Sequence, residues 1–239
     1  MHGGPAAALL AREIERLPAP VPMAVVRVTV DILRPVPLQP LSVSARVERP
    51  GRRVQLVSAV LTSDGPELCR ATAWRVRELP AGSVRPTMST AVAAPESVPA
   101  HEPESDLPGF HRTGVELRFV RGSFYALGPS TVWIKLRRPV VDAETPSPLM
   151  RVMSAADFGN GVSAELEFGS NLFINTDVSV YLDRPPVGAW VCLDAQTMIG
   201  PGGAGIAESA LYDVEGRIGR SLQALLVGPA GPGAGGFRA

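Results

Sequence analysis

The chain has 239 residues, with 23 Lys or Arg against 23 Asp or Glu and therefore no formal net charge. That length can bury a substantial core, and the charge balance excludes the basic footprint of a nucleic-acid binder. No apolar run approaches the roughly 18 residues of a membrane span, and no basic-then-apolar leader opens the chain, so a cytoplasmic setting is expected.

Residues 5–17, PAAALLAREIERL, predict a helix. Pro5 suits a first turn, Ala and Leu propagate it, and Leu9, Leu10, Ile14 and Leu17 share a face. His2, Gly3 and Gly4 precede it and leave bare amides at its start; Pro18, Pro20 and Pro22 end it. Four strands are expected at 23–33, 41–50, 53–63 and 67–78. They are separated by Arg34-Pro35, Pro50-Gly51 and Asp64-Gly65, the punctuation of consecutive antiparallel hairpins. Residues 80–112 intersperse proline with Ser, Glu and Ala and read as a linker draped over the surface.

A second unit opens with strands at 115–120 and 131–137. Ser147-Pro148 begins a helix that runs from Leu149 to Asp157 and stops at Gly159-Asn160-Gly161. Strands recur at 163–168, 174–183, 189–198, 204–213 and 217–227, and a glycine- and proline-rich tail follows. The expected organisation is a first unit at 1–79, a linker at 80–112, a second unit at 113–228 and a disordered tail at 229–239. Cys69 and Cys192 each fall inside a strand, outside any Cys/His cluster, so reduced core thiols are expected.

The two units echo one another. Val178, Val180 and Leu182 alternate with Ser179, Tyr181 and Asp183 before Arg184-Pro185, and Val28–Pro35 repeats that pattern 150 residues earlier. The chain reads as a duplication of an α+β module, one helix followed by antiparallel strands. Only the second copy has a strand region ahead of its helix. Either the first copy lacks its opening strand, or Met1 lies downstream of where the complete domain would start. Exposed edge strands favour a homo-oligomer.

A long helix wrapped by a curved antiparallel sheet, present twice, with His2-Gly3-Gly4 at the helix start, Arg-Pro after the first main strand and an Asp-Gly hairpin, resembles the double-hotdog acyl-CoA thioesterases of type II. The resemblance covers nearly the whole chain apart from the linker and tail. It implies a tandem (double) hotdog and hydrolysis of fatty acyl-CoA to free fatty acid and CoA without a cofactor. It also implies an active site of Asp, Thr or Ser, and Gln on strands of the second unit. Asp177, Thr197 and Gln223 fit those positions, and the long loop Gly200–Gly205 leaves Gln196 as a competitor of Thr197. Through the repeat, the first unit's equivalents are Arg27, Glu48 and Thr72, so the polar trio occurs once and one site per chain is expected.

Thioester hydrolysis needs an activated water and a stabilised carbonyl oxygen. On this reading Asp177 is the base, Thr197 and Gln223 hold the water, and the Gly3 and Gly4 amides at the helix start receive the developing charge. Asp157 is a second carboxylate to consider, because many single-hotdog enzymes use a helical acid; solvation of a helix end is the plainer account of it. The alternative function is a non-catalytic acyl-thioester-binding protein. A hotdog enoyl-CoA hydratase is disfavoured, since no histidine lies five residues beyond either aspartate. His2, His101 and His111 lack the spacing of metal ligands, no Gly-x-Ser-x-Gly elbow is present, and Gly200–Gly205 lacks the Lys-Ser/Thr of a phosphate loop.

Overall fold

Helix α1 (Gly3–Arg16) lies against one face of a sheet begun by β1 (Met23–Ile32), β2 (Ser42–Arg49), β3 (Val54–Thr62) and β4 (Glu67–Arg77). Its small face (Ala6, Ala7, Ala11) lets neighbours approach closely, while Leu10 and Ile14 are fully buried, each contributing about 1.5–3 kcal/mol on removal from water. Arg75, on the inner face of β4, donates to the Leu17 and Pro18 carbonyls and so closes the C-terminal end of α1. The computed structural model describes residues 2–80, 82–83, 92–103, 109–167 and 170–230.

The second unit comprises β5 (Val115–Arg121), β6 (Ser130–Leu136), α2 (Pro148–Ala156), α3 (Gly159–Val162), β7 (Asn171–Asn175), β8 (Asp177–Leu182), β9 (Trp190–Ile199), β10 (Ala204–Asp213) and β11 (Gly216–Pro229). Both units share one antiparallel sheet in the order β2-β3-β4-β1-β8-β11-β10-β9-β6-β5, with β7 also pairing with β11. The duplication is visible in that order, since β2-β3-β4-β1 mirrors β9-β10-β11-β8. Its pseudo-twofold passes through the β1–β8 seam, where the Thr29 and Ser179 hydroxyls lie 3.1 Å apart across a sequence separation of 150. This is the expected tandem hotdog, and α1 and α2 pack together over its inner face.

Four expectations change. Residues 163–167 form no strand; Ser163 instead turns its hydroxyl back to the Gly159 carbonyl, and the strand comes later, as β7. The chain does not stop turning at Gly159-Asn160-Gly161, which starts the short α3. The strand expected over 174–183 is broken at Thr176, whose N–H donates to the Ala224 carbonyl and whose carbonyl accepts from Ile32. The linker covers the outer face where it is described: Trp133 Nε1 donates to the Ala93 carbonyl, and Arg118 donates to Pro95. Pro229, assigned to the tail, is the last residue of β11; residues 231–239 lie outside the described residues. Both cysteines are free and buried.

Candidate active site

Alternation on β9, β10 and β11 places Thr197, Ala207 and Gln223 in one row on the inner face, since Ala207 pairs with Thr197 on one side and with Gln223 on the other. Thr197 is 5% exposed and Gln223 1%. Gln196 points to the opposite face and donates to Glu208, so of the two only Thr197 lies in the inner row.

Both side chains brace α3. Gln223 Oε1 accepts from the Asn160 amide at 2.9 Å, and its Nε2 reaches the Asp157 carbonyl at 3.4 Å. Ser163 Oγ spends its one hydrogen on the Gly159 carbonyl at 2.8 Å, so the 2.8 Å contact with Thr197 Oγ1 makes Thr197 the donor. The Thr197 hydroxyl is thereby committed. Gly159 is required by this packing, because a Cβ there would stand 2.8 Å from Gln223 Oε1.

Asp177 is not brought to this cluster. Val178, Val180 and Leu182 face inward, so Asp177 lies with Ser179 and Tyr181 on the outer face. There its Oδ1 accepts from the Ala224 amide at 2.8 Å, substituting for the ladder acceptor lost at the Thr176 break, and its Oδ2 accepts from Ser179. The register also sets it opposite Asp31 of β1.

The carboxylate that does stand at the cluster is Asp157, just past the end of α2 and 9% exposed. Asn175, the last residue of β7, donates to its Oδ1 at 2.8 Å, and its Oδ2 lies 2.6 Å from His2 Nδ1. Gly3 closes over both oxygens, each 2.9 Å from where a Cβ would be. Asp157 therefore sits at the N-terminus of α1, a helix with no acidic residue in its own first turn. Thus Gly3 and Gly4 of the first unit meet a carboxylate of the second. Burial and this carboxylate push the Cys69 thiol up to about 11, which keeps Cys69 protonated and unsuited to act as a nucleophile. The rings of His2, Phe110 and Phe158 pack over the site with centroids 4.7–5.7 Å apart.

The pairing register also corrects the repeat alignment. Following β1–β4 and β8–β11 outward from the seam puts Ala73 at the Gln223 position, Val57 at Ala207 and Val47 at Thr197. These replace Thr72 and Glu48. The first unit's row is wholly apolar, which strengthens the case for a single polar site.

Sequence reasoning weighed Asp157 but missed Asn175. A signal for Asp157 existed: it is the only carboxylate between Glu144 and Glu165. Asn175 gave none, because its inward direction depends on the break at Thr176. Among the described residues no group of His, Cys, Asp and Glu could hold a metal ion, and no helix is long and apolar enough to cross a membrane.

Residues 1–76 match the family model of the acyl-CoA thioesterase N-terminal domain, and residues 91–227 that of the acyl-CoA thioesterase C-terminal domain. Among solved structures, a hot-dog-fold protein of Alicyclobacillus acidocaldarius is 18% identical with a TM-score of 0.76, the match covering 95% of this chain and 86% of that one. An acyl-CoA thioesterase II of Mycobacterium marinum is 17% identical with a TM-score of 0.67, over 96% of this chain and 90% of that one. At these identities the likeness shows the fold alone. No curated protein matches the chain significantly.

Proposed function

The chain belongs to the acyl-CoA thioesterase family and is a thioester hydrolase; from that premise we propose that it hydrolyses fatty acyl-CoA with Asp157, rather than Asp177, as the base that activates water. The observation that carries this reading is the seat of the Asp157 carboxylate, in the second unit, against the first turn of α1 from the first unit. Base and oxyanion donor are then adjacent, as addition to a carbonyl requires.

In this reading the thioester carbonyl oxygen lies toward the α1 start and receives the Gly4 N–H. Water bound between Asp157 and the free N–H of Gln223 Nε2 attacks the carbonyl carbon as Asp157 takes its proton. The tetrahedral intermediate collapses by breaking the C–S bond, CoA leaves as the thiol once it gains that proton, and the acid is released. Asn175 fixes the carboxylate, and Thr197 fixes the helix that carries Asn160.

The test compares Asp157→Asn with Asp177→Asn in a thiol-release assay on fatty acyl-CoA. Asp157→Asn is expected to lower kcat by about 10²–10⁴-fold, with Asp177→Asn within a few-fold of the parent. A folded Asp157→Asn protein that retains full turnover overturns the assignment.

A further inference from the structure

We propose that two copies of this chain associate through the outer faces of their sheets, about a twofold axis that runs across the strands through Thr29 and Ser179. Pairing register defines three adjacent rows on that face. The middle row is Thr72, Thr29, Ser179 and Leu222, one residue from each of β4, β1, β8 and β11, and none of them is charged. On one side of it lie Arg70, Asp31 and Asp177. On the other lie Trp74, Arg27, Tyr181 and Arg220.

The outer rows hold charges that a single copy leaves unmatched. Asp31 and Asp177 stand directly opposite one another on antiparallel strands, an unfavourable pairing of like charges. Neither forms an ion pair among the described residues. Arg27 has no carboxylate partner there either: its Nη2 donates to Thr72 Oγ1 at 3.4 Å, and its Nε is buried without a hydrogen-bond partner. Tyr181 is 48% exposed although its strand lies in the middle of the sheet. The described part of the linker sits elsewhere on this face, against Arg118 of β5 and Trp133 of β6.

A second copy supplies what is missing. Turned over about the middle row, it sets its Arg27 row against the Asp31 row of the first. Asp31 then meets Arg27 of the partner subunit, and Asp177 meets the hydroxyl of the partner's Tyr181 with the partner's Arg220 beside it. Arg70 meets the ring of the partner's Trp74. Each contact forms twice, as an isologous interface requires. The uncharged middle row lies on the axis, where each residue faces its own copy. The twist of each sheet carries the ends of that row apart, so Glu208, next along it, stays clear of its counterpart. A twofold along the strands is disfavoured by the same residues, since it would set Asp31 on the partner's Asp177. The charge pattern therefore selects one occupant and one axis, on the sheet face rather than at the edge strands β2 and β5.

The experiment is light scattering on size-exclusion fractions, with thermal melts, of the parent, Asp31→Arg and Arg27→Asp, the two variants alone and as an equimolar mixture. The parent should be a dimer at about 50 µM. Each single variant sets like charges against one another twice and should raise the dimer dissociation constant by about 100-fold or more. The mixture should recover a dimer with one copy of each, because the reversed acid of one meets the reversed base of the other. Tyr181→Glu, at an exposed position, sets a carboxylate against Asp177 and should also give monomers; it keeps the test decisive if Arg27→Asp fails to fold. A monomeric parent overturns the proposal. A dimer that survives these substitutions also overturns it and would place association on the edge strands. Folded monomers that do not pair when mixed would deny the twofold.

Discussion

His2 Nδ1 lies 2.6 Å from Asp157 Oδ2, and the Gly4 N–H is directed at the same nitrogen from 3.2 Å. One ring nitrogen cannot donate to the carboxylate and accept from the amide at once. With a hydrogen on Nδ1, His2 donates to Asp157 and leaves the Gly4 N–H without its cap; with the ring hydrogen on Nε2 instead, Nδ1 accepts from Gly4. The N-terminal unit thereby places a polar side chain against a site whose other polar groups belong to the second unit.

Gly3 tests that contact most directly. Its missing Cβ is the space in which both Asp157 oxygens sit. Gly3→Ala should displace the carboxylate while leaving the helix as good or better in propensity. Misplacing a reacting group by about 1 Å costs on the order of 100-fold, so kcat should fall by about that factor with a melting temperature within a few degrees of the parent. Full activity in Gly3→Ala would place the reacting carboxylate elsewhere.

Gln223 and Thr197 occupy one row but should not behave alike. Gln223→Ala leaves the buried Asn160 amide without an acceptor, at about 1–3 kcal/mol, and removes the amide proposed to face the water. Turnover should drop by about 100-fold. Thr197→Val removes only a donation to Ser163, which still holds the Gly159 carbonyl. Its expected cost is about 1 kcal/mol of stability, with turnover within a few-fold of the parent. Steady-state kinetics and urea melts on both variants separate the roles; equal damage would mean that Thr197 itself touches the reacting water.

Strand alternation made most of the sheet legible: the expected strand at 204–213 is β10, and the four strands of the first unit fall within two residues of their expected ends. The same alternation, applied strictly, sends Asp177 outward with Ser179 and Tyr181, because the apolar residues that define the strand are the even-numbered ones. Asn175 was hidden for the opposite reason. Continuing the parity of Val178 backward points Asn175 outward, and only the extra residue at Thr176 turns it, with Phe173, toward the core. Asp157 looked like a solvated helix end because nothing local indicated that α1, from more than 140 residues earlier, would cover it. Long-range burial is the information that a periodic reading lacks.

Stability should rise with pH between about 4 and 6.5 because of His111. Its ring stacks on Phe124 at 5.4 Å, and burial first, then the charges of Arg112 and His2, push its imidazole down to about 4. The unfolded chain, with a histidine near 6.5, binds the proton across that window and the folded chain does not, so acid favours unfolding there. Urea midpoints at several pH values should climb through the window and level off above it. His111→Phe, which retains a stacking ring, should flatten the climb; an unaltered slope would assign the effect to other groups.

A second, more acidic transition belongs to Arg184 and Asp213. Arg184 forks onto both Asp213 oxygens at 2.5 and 2.6 Å, and the Val187 and Glu215 amides donate to the same carboxylate, whose residue is only 2% exposed. Burial alone would raise the Asp213 pKa, but these donors outweigh it and hold it below the usual range. The contribution is therefore fully present above the unfolded value of about 3.9 and is lost as pH falls through the lower folded one. This ties the Arg-Pro that ends β8 to the hairpin between β10 and β11. Arg184→Met strands a buried carboxylate and should cost about 3–5 kcal/mol at neutral pH. Adding Asp213→Leu should restore much of that loss, since an apolar pair needs no counter-charge. If the single variant loses less than about 1 kcal/mol in urea denaturation, solvent rather than Arg184 is satisfying Asp213.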